Sequence, residues 1–365
     1  MGALTSLIFY GCYFSGLPWD IGQLQNLVTM KLFSTRLLHL PDSFGQLGKL
    51  KELTIYECYD LFELPASFTN LSSLETLLIY GGSSLIDLPL GFENLSKLRR
   101  LELLNCAMPY LPDRFGELLS LEILILQTTD TYKRIGVNFE PASRPAHLGY
   151  ESEGEEFELD GSCSLRAFPG TFSLLTRLEQ LIIDGCEMLE ELPSGMGNLR
   201  SLKVLKVENC KRLKVFPMPG SIGQAGLGRL SSLVHLHIVN TNLPALPENL
   251  GDLKELAVLL LEKCHAITSL PSSMVTLPKL QQINLKTLPL LTHLPENLGQ
   301  LKALNELVSL QGCKALRALP SDLGSLSCLR EVDLDVCTQL KELPGSLVDR
   351  VNVIQVKGSW GKSCY

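Results

Sequence analysis

Two stretches of the chain hold residues that could do chemistry. Near the C-terminus, Gly358, Gly361, Lys362 and Ser363 end a segment in the manner of a phosphate-binding loop, where backbone amides and a lysine cradle phosphate oxygens. The first glycine of that pattern would fall on Val356, however, and too few residues follow Ser363 for the helix whose N-terminus holds the phosphate. His235 and His237 are two apart, so on an extended strand both imidazoles point to one face, the start of a metal site. The matching columns of the flanking strands hold Val204, Lys206, Val258 and Leu260, none of them a third ligand. No nucleophile, base and orienting group converge. The expectation is a chain that is not an enzyme, with no metal and no cofactor.

The elements that would carry these residues are set by a repeat. An aliphatic residue or phenylalanine followed by proline recurs, usually every 23 to 25 residues, from Leu17-Pro18 to Leu343-Pro344. Such a period marks a solenoid, in which no unit buries its apolar face alone and stacked neighbours share one core. One unit reads Leu50, Leu53, Ile55, Cys58, Leu61, Leu64 and Pro65, then Phe68 and Leu71 before the next begins at Leu74. Leu53 and Ile55 point inward from a short strand, while Glu52, Thr54 and Tyr56 face the other way. The proline fixes φ and removes a donor, which suits a segment leaving the sheet for the opposite side.

Eight of the eleven cysteines fall on the fourth inward position: Cys12, Cys58, Cys106, Cys186, Cys210, Cys264, Cys313 and Cys337. That position favours a small buried body with a weak S–H donor, so these read as reduced core residues rather than a disulfide framework. The net charge of -7 and the lack of a basic stripe with interleaved aromatics argue against nucleic acid as the ligand. No run of apolar residues is long enough to span a bilayer as a helix.

Departures from the period carry the remaining information. The domain reading is one solenoid over 1–357, of about 14 turns, with a short tail at 358–365. Leu121, Leu124, Leu126, Thr129 and Tyr132 fit a degenerate turn ending at Ile135, and the pattern resumes around Phe157 and Leu159. An insertion at 136–156 and a smaller one at 218–228 fall between turns, and Leu304 to Leu310 holds one extra residue, most simply a bulge. The larger insertion ends in a run of carboxylates that includes Glu151, Glu153, Glu155 and Glu156, which reads as a solvated loop or as a docking site for a basic partner.

The run Gly312, Cys313, Leu316, Leu319, Pro320, Ser321, Leu323, Gly324 and Leu326 resembles the leucine-rich repeats at the C-terminal end of plant intracellular nucleotide-binding immune receptors, especially those with a TIR domain. The resemblance covers essentially the whole chain. It implies an α/β leucine-rich-repeat horseshoe, with a parallel sheet on the concave side and irregular or short helical turns on the convex side. It also implies a cytoplasmic protein-recognition module in disease-resistance sensing or defence signalling, or else the recognition arm of an enzyme assembly such as a ubiquitin ligase, a phosphatase or a small-GTPase pathway. The partner would be a protein held by the concave face. The first strand, near Ala3 and Leu4, has no polar unit ahead of it, so association through that edge is also expected.

Within the concave face, the outward position that follows the second core residue reads Tyr10, Phe33, Tyr56, Tyr80 and Leu104, then Gln127, Asp160, Asp184 and Glu208. On strands about 4.8 Å apart the first five form one apolar, mostly aromatic stripe, the residue types that dominate interfaces. The 136–156 insertion supplies none of the leucine lattice, and closure entropy grows slowly with loop length. Shortening it to ordinary turn length therefore leaves the melting temperature nearly unchanged; a drop of ten degrees or more would show that it packs.

Overall fold

The computed structural model describes residues 4–11, 14–33, 36–128, 164–216, 226–307, 309–326, 329–350 and 355–357. Each repeat contributes one short strand. In chain order these are β1 (Ser6–Tyr10), β2 (Thr29–Phe33), β3 (Glu52–Tyr56), β4 (Thr76–Tyr80), β5 (Arg100–Leu104), β6 (Ile123–Gln127) and β7 (Gln180–Asp184). They continue as β8 (Val204–Glu208), β9 (His235–Val239), β10 (Val258–Glu262), β11 (Gln282–Lys286), β12 (Glu306–Leu307), β13 (Glu331–Asp333) and β14 (Gln355–Lys357). The first twelve form a single parallel sheet in sequence order, and β13 pairs with β14. The fold is a leucine-rich-repeat solenoid.

Register explains the core. Met30, Leu53, Leu77 and Leu101 stand level on β2 to β5, as do Leu32, Ile55, Ile79 and Leu103. Each inward side chain therefore packs on its counterparts above and below, and Leu53, Ile55, Leu77 and Ile79 have no exposed surface. Burying such a side chain is worth about 1.5–3 kcal/mol, and here the burial exists only because the adjacent turns are present.

The strands end at a corner that most turns share. Glu57, Asn105, Asn209, Lys263 and Thr287 all hold φ between 53° and 57°. That left-handed corner aims each amide at the next turn: Glu57 N donates to Tyr80 O at 2.7 Å, and Asn105 N to Gln127 O at 2.7 Å. The bond offsets the cost of a conformation that L-residues disfavour.

Just past the corner lies the cysteine column. The seven described members are buried thiols. The Cys58 thiol donates to Tyr56 O of its own turn at 3.5 Å, whereas Cys313 and Cys337 reach the preceding turn, donating to Leu285 O and Leu310 O at 3.2 Å each. Burial pushes the Cys313 thiol up to about 11. Burial and the neighbouring Cys313 push Cys337 up to about 12, so neither forms a thiolate nucleophile at neutral pH.

The convex side is built from single 3-10 turns such as Asp42–Gln46 and Ala66–Asn70, which Pro41 and Pro65 open. Phe44, Phe68, Phe92, Phe115 and Phe172 point inward from five of them and are fully buried. Phe115 stacks on Phe172 at 6.3 Å with planes 3° apart. Among the described residues the only α-helix is Gly345–Val348. Glycine beside the phenylalanine lets successive turns touch: a Cβ on Gly116 would lie 1.7 Å from the Thr171 carbonyl oxygen.

Two sequence expectations change here. Asp160 lies outside the described residues, and β6 pairs directly with β7, placing Gln127 opposite Asp184. The reason is a choice of ladder leucine. From Tyr56 to Leu61 is five residues, but the turn begun by β6 is closed by Leu165, 38 residues after Gln127, and Leu165 is buried at 2% exposure. Thr129 and Tyr132, with Phe157, Leu159 and the 136–156 insertion, lie outside the described residues. The smaller insertion is outside them up to 225, and Leu227–Arg229 already forms a regular convex turn.

Near the C-terminal end, β12 stops at Leu307 and the backbone ladder resumes two residues later, with Leu285 N donating to Ser309 O at 3.1 Å and Leu310 N to Asp333 O at 2.9 Å. That is where the extra residue was expected.

The glycine contacts yield a paired prediction. Gly116→Ala forces a Cβ into the Thr171 backbone and should cost about 1–3 kcal/mol or more in urea denaturation. Gly170→Ala meets nothing within 4 Å and should stay within about 0.5 kcal/mol of the parent chain. Equal effects would contradict close approach of the convex turns.

Candidate interaction face

The outward positions of the sheet are the ones the lattice leaves free. The stripe expected from the sequence lies in one register column: Tyr10 is level with Phe33, Phe33 with Tyr56, Tyr56 with Tyr80, and Tyr80 with Leu104. The rings touch. Tyr10 and Phe33 stack at 4.8 Å with planes 6° apart, Phe33 and Tyr56 stand 5.7 Å apart, and Tyr56 and Tyr80 also 5.7 Å.

Exposure is graded along the column. Tyr10 is 56% exposed, Phe33 and Tyr56 are half-buried, and Tyr80 and Leu104 fall to 7% and 6%. Leu78, Ile125 and Ile182 join Tyr80 and Leu104 in a second apolar cluster, separate from the main core, with Tyr56 and Ile123 against it. The accessible part of the stripe is therefore its first three members. Residues Glu151, Glu153, Glu155 and Glu156 lie outside the described residues.

A polar group hidden in this cluster had no sequence signal beyond being an outward carboxylate. Glu102 is 4% exposed, yet it accepts from Arg100 Nε at 2.6 Å and from the Tyr80 hydroxyl. Such a carboxylate is tolerable only because both partners supply charge-assisted bonds. Tyr80 is thereby tied to the sheet rather than offered to a partner.

Further along, the same column turns acidic and amide-rich. Asp184 is 4% exposed and accepts from Asn209 Nδ2 at 2.7 Å, and Asn209 Oδ1 accepts from Asn240 Nδ2 at 2.8 Å. Three turns are thus linked by a chain of side-chain bonds. Glu208 and Glu262 follow on either side of Val239.

The histidine pair lies where the sequence put it. His235 is level with Val204 and Val258, and His237 with Lys206 and Leu260. Their rings are 6.1 Å apart and nearly perpendicular, and among the described residues no group of three or more His, Cys, Asp or Glu could hold a metal ion. Burial, the Lys206 ammonium and His235 together push His237 from 6.5 down to about 4, so it is neutral at pH 7. His235 moves the same way, through burial and Lys206.

A sequence-family model described as a leucine-rich repeat region matches residues 203–355. No curated protein sequence matches the chain. Among solved structures, a leucine-rich-repeat protein of Leptospira interrogans aligns with a TM-score of 0.50 and 21% identity, covering 97% of this chain and 90% of that one. The Drosophila Toll–Spätzle complex gives a TM-score of 0.56 at 17% identity, covering 98% of this chain and 47% of that one. A complex of TLR13 with ssRNA13 gives 0.50 at 17% identity, covering 89% and 47%. Identities this low show the fold alone. Among the described residues no helix is long and apolar enough to cross a membrane.

The histidines generate a pH prediction. A histidine whose folded pKa lies below its unfolded value binds its proton more readily when unfolded, so stability is lost as pH falls from 6.5 toward 4. The parent chain should lose more melting temperature between pH 7 and pH 4.5 than His237→Leu does. Parallel losses in the two chains would place the imidazole in ordinary solvent.

Proposed function

We propose that the chain is a non-catalytic protein-recognition module whose partner contacts the concave sheet over its first turns. A leucine-rich-repeat fold suggests a protein-interaction module, and the observation that carries the reading is the contiguous column of Tyr10, Phe33 and Tyr56. These are three rings, each in contact with the next, that retain exposed surface at a position the core does not use. Aromatic side chains offer large contact area at low entropic cost and recur at the centres of interfaces. Beyond the buried Asp184 the column passes into Glu208 and Glu262, which favours a partner with an apolar end and a basic end. Those carboxylates, with the net charge of -7, disfavour nucleic acid as the ligand.

The finer reading is an intracellular sensor or defence-signalling arm of the plant disease-resistance type. It is supported by the repeat resemblance and by a column of buried cysteine thiols that suits a reducing compartment. Neither reading places chemistry in this chain.

Tyr10, Phe33 and Tyr56 changed together to serine should weaken a captured protein partner by about tenfold or more, while the circular dichroism spectrum and melting temperature hold. Tyr80 is left intact because its hydroxyl serves Glu102. Full affinity in a folded triple variant would place the site elsewhere.

A further inference from the structure

A repeat protein supplies its own control, because one position is filled many times under the same backbone constraints. The residue after the ladder leucine lies on the flank between the strand and the proline turn, where parallel bridges tie Gly16 to His39 and His39 to Glu63. Phe62 N donates to Leu38 O across that flank at 3.3 Å. In turns two to four the position holds Leu38, Phe62 and Ile86, exposed to 40%, 47% and 62%. In later turns it holds Arg166, Glu190, Lys214, Thr292 and Arg317, tied by the same bonds: Lys214 N to Glu190 O and Arg317 N to Thr292 O, each at 3.0 Å. The position is solvated and accepts either charge. The fold does not require the three apolar residues.

Their surroundings define what would cover them. Asp60, Glu63 and Asp87 are exposed beside Phe62 and Ile86, whereas Arg36 and His39 are exposed beside Leu38, so the carboxylates flank the second and third rows. We propose that Leu38, Phe62 and Ile86 form a second docking surface, away from the concave column, for an amphipathic helix of a protein partner whose apolar face is flanked by lysine or arginine. Bridged rows stand about 4.8 Å apart and a helix advances about 5.4 Å per turn, so side chains at i, i+4 and i+7 fall over successive rows. Apolar contact supplies the area, and the carboxylates select the basic flank while repelling an anionic membrane surface.

The test uses the full chain and a fluorescein-labelled amphipathic peptide of about 18 residues, built from leucine and lysine, with a leucine–glutamate counterpart. The lysine peptide should bind in fluorescence anisotropy and the glutamate peptide about tenfold more weakly or not at all. Changing Leu38, Phe62 and Ile86 together to threonine, a residue this position already holds in a later turn, should weaken the lysine peptide about tenfold; Tyr10, Phe33 and Tyr56 changed to serine should leave it bound. Equal binding by the parent chain and the threonine variant would overturn the proposal, as would loss of binding in the serine variant. A parent chain that is dimeric and becomes monomeric in the threonine variant would assign the stripe to a second copy instead. A melting temperature ten degrees lower in that variant would assign it to stability.

Discussion

The inward leucine lattice belongs to no single turn, and the rest of the molecule is arranged to keep it continuous. Leu53 and Ile55 are fully buried because Met30 and Leu32 lie level on one side and Leu77 and Ile79 on the other. Continuity demands equal height at every turn. The left-handed corner after the strand, the cysteine that closes it and the glycine that lets convex turns touch are three ways of holding that height. The junction between β6 and β7 shows how strongly it is enforced: many residues separate the strands in sequence, yet Glu179 N donates to Glu122 O at 2.7 Å as in any other pair of turns.

The same constraint decides what could be read from the sequence. Inward positions recur with one period, so the strands, the buried cysteines and the register of Tyr10, Phe33, Tyr56, Tyr80 and Leu104 were all legible. So was the placing of His235 and His237 between Val204, Lys206, Val258 and Leu260. Exposure was not, because it depends on outward neighbours two or three turns away; Tyr80 is covered by the cluster of Leu78, Ile125 and Ile182 and by its bond to Glu102. β6 pairs directly with β7, and the repeat pattern did not foretell that pairing. Leucine spacing at Leu121 to Leu126 continues plausibly into Thr129 and Tyr132, and period alone cannot choose between them and Leu165 as the residue that closes the turn.

Function must then be sought where the lattice places no demand. Two outward rows meet that condition with neighbouring exposed apolar residues in successive turns: the aromatic column on the concave sheet and the stripe of Leu38, Phe62 and Ile86 on the flank. Both lie in the N-terminal turns. The corresponding positions later in the chain are largely polar or charged, Asp184 and Glu208 in the first column and Lys214 and Arg317 in the second. Two columns whose apolar members lie in the first turns favour a partner that engages that end, with carboxylates farther along the sheet steering a basic segment into place.

The central claim is that recognition uses the exposed concave aromatics of the first turns. Hydroxyl-radical footprinting of the free chain and of its complex with a captured protein partner tests it most directly, since tyrosine and phenylalanine report their own accessibility. The account predicts protection of Tyr10, Phe33 and Tyr56 with little change at Tyr80, which is already covered. Protection confined to the convex turns or to the strands from β9 onward, with Tyr10 and Phe33 as reactive as in the free chain, would contradict it.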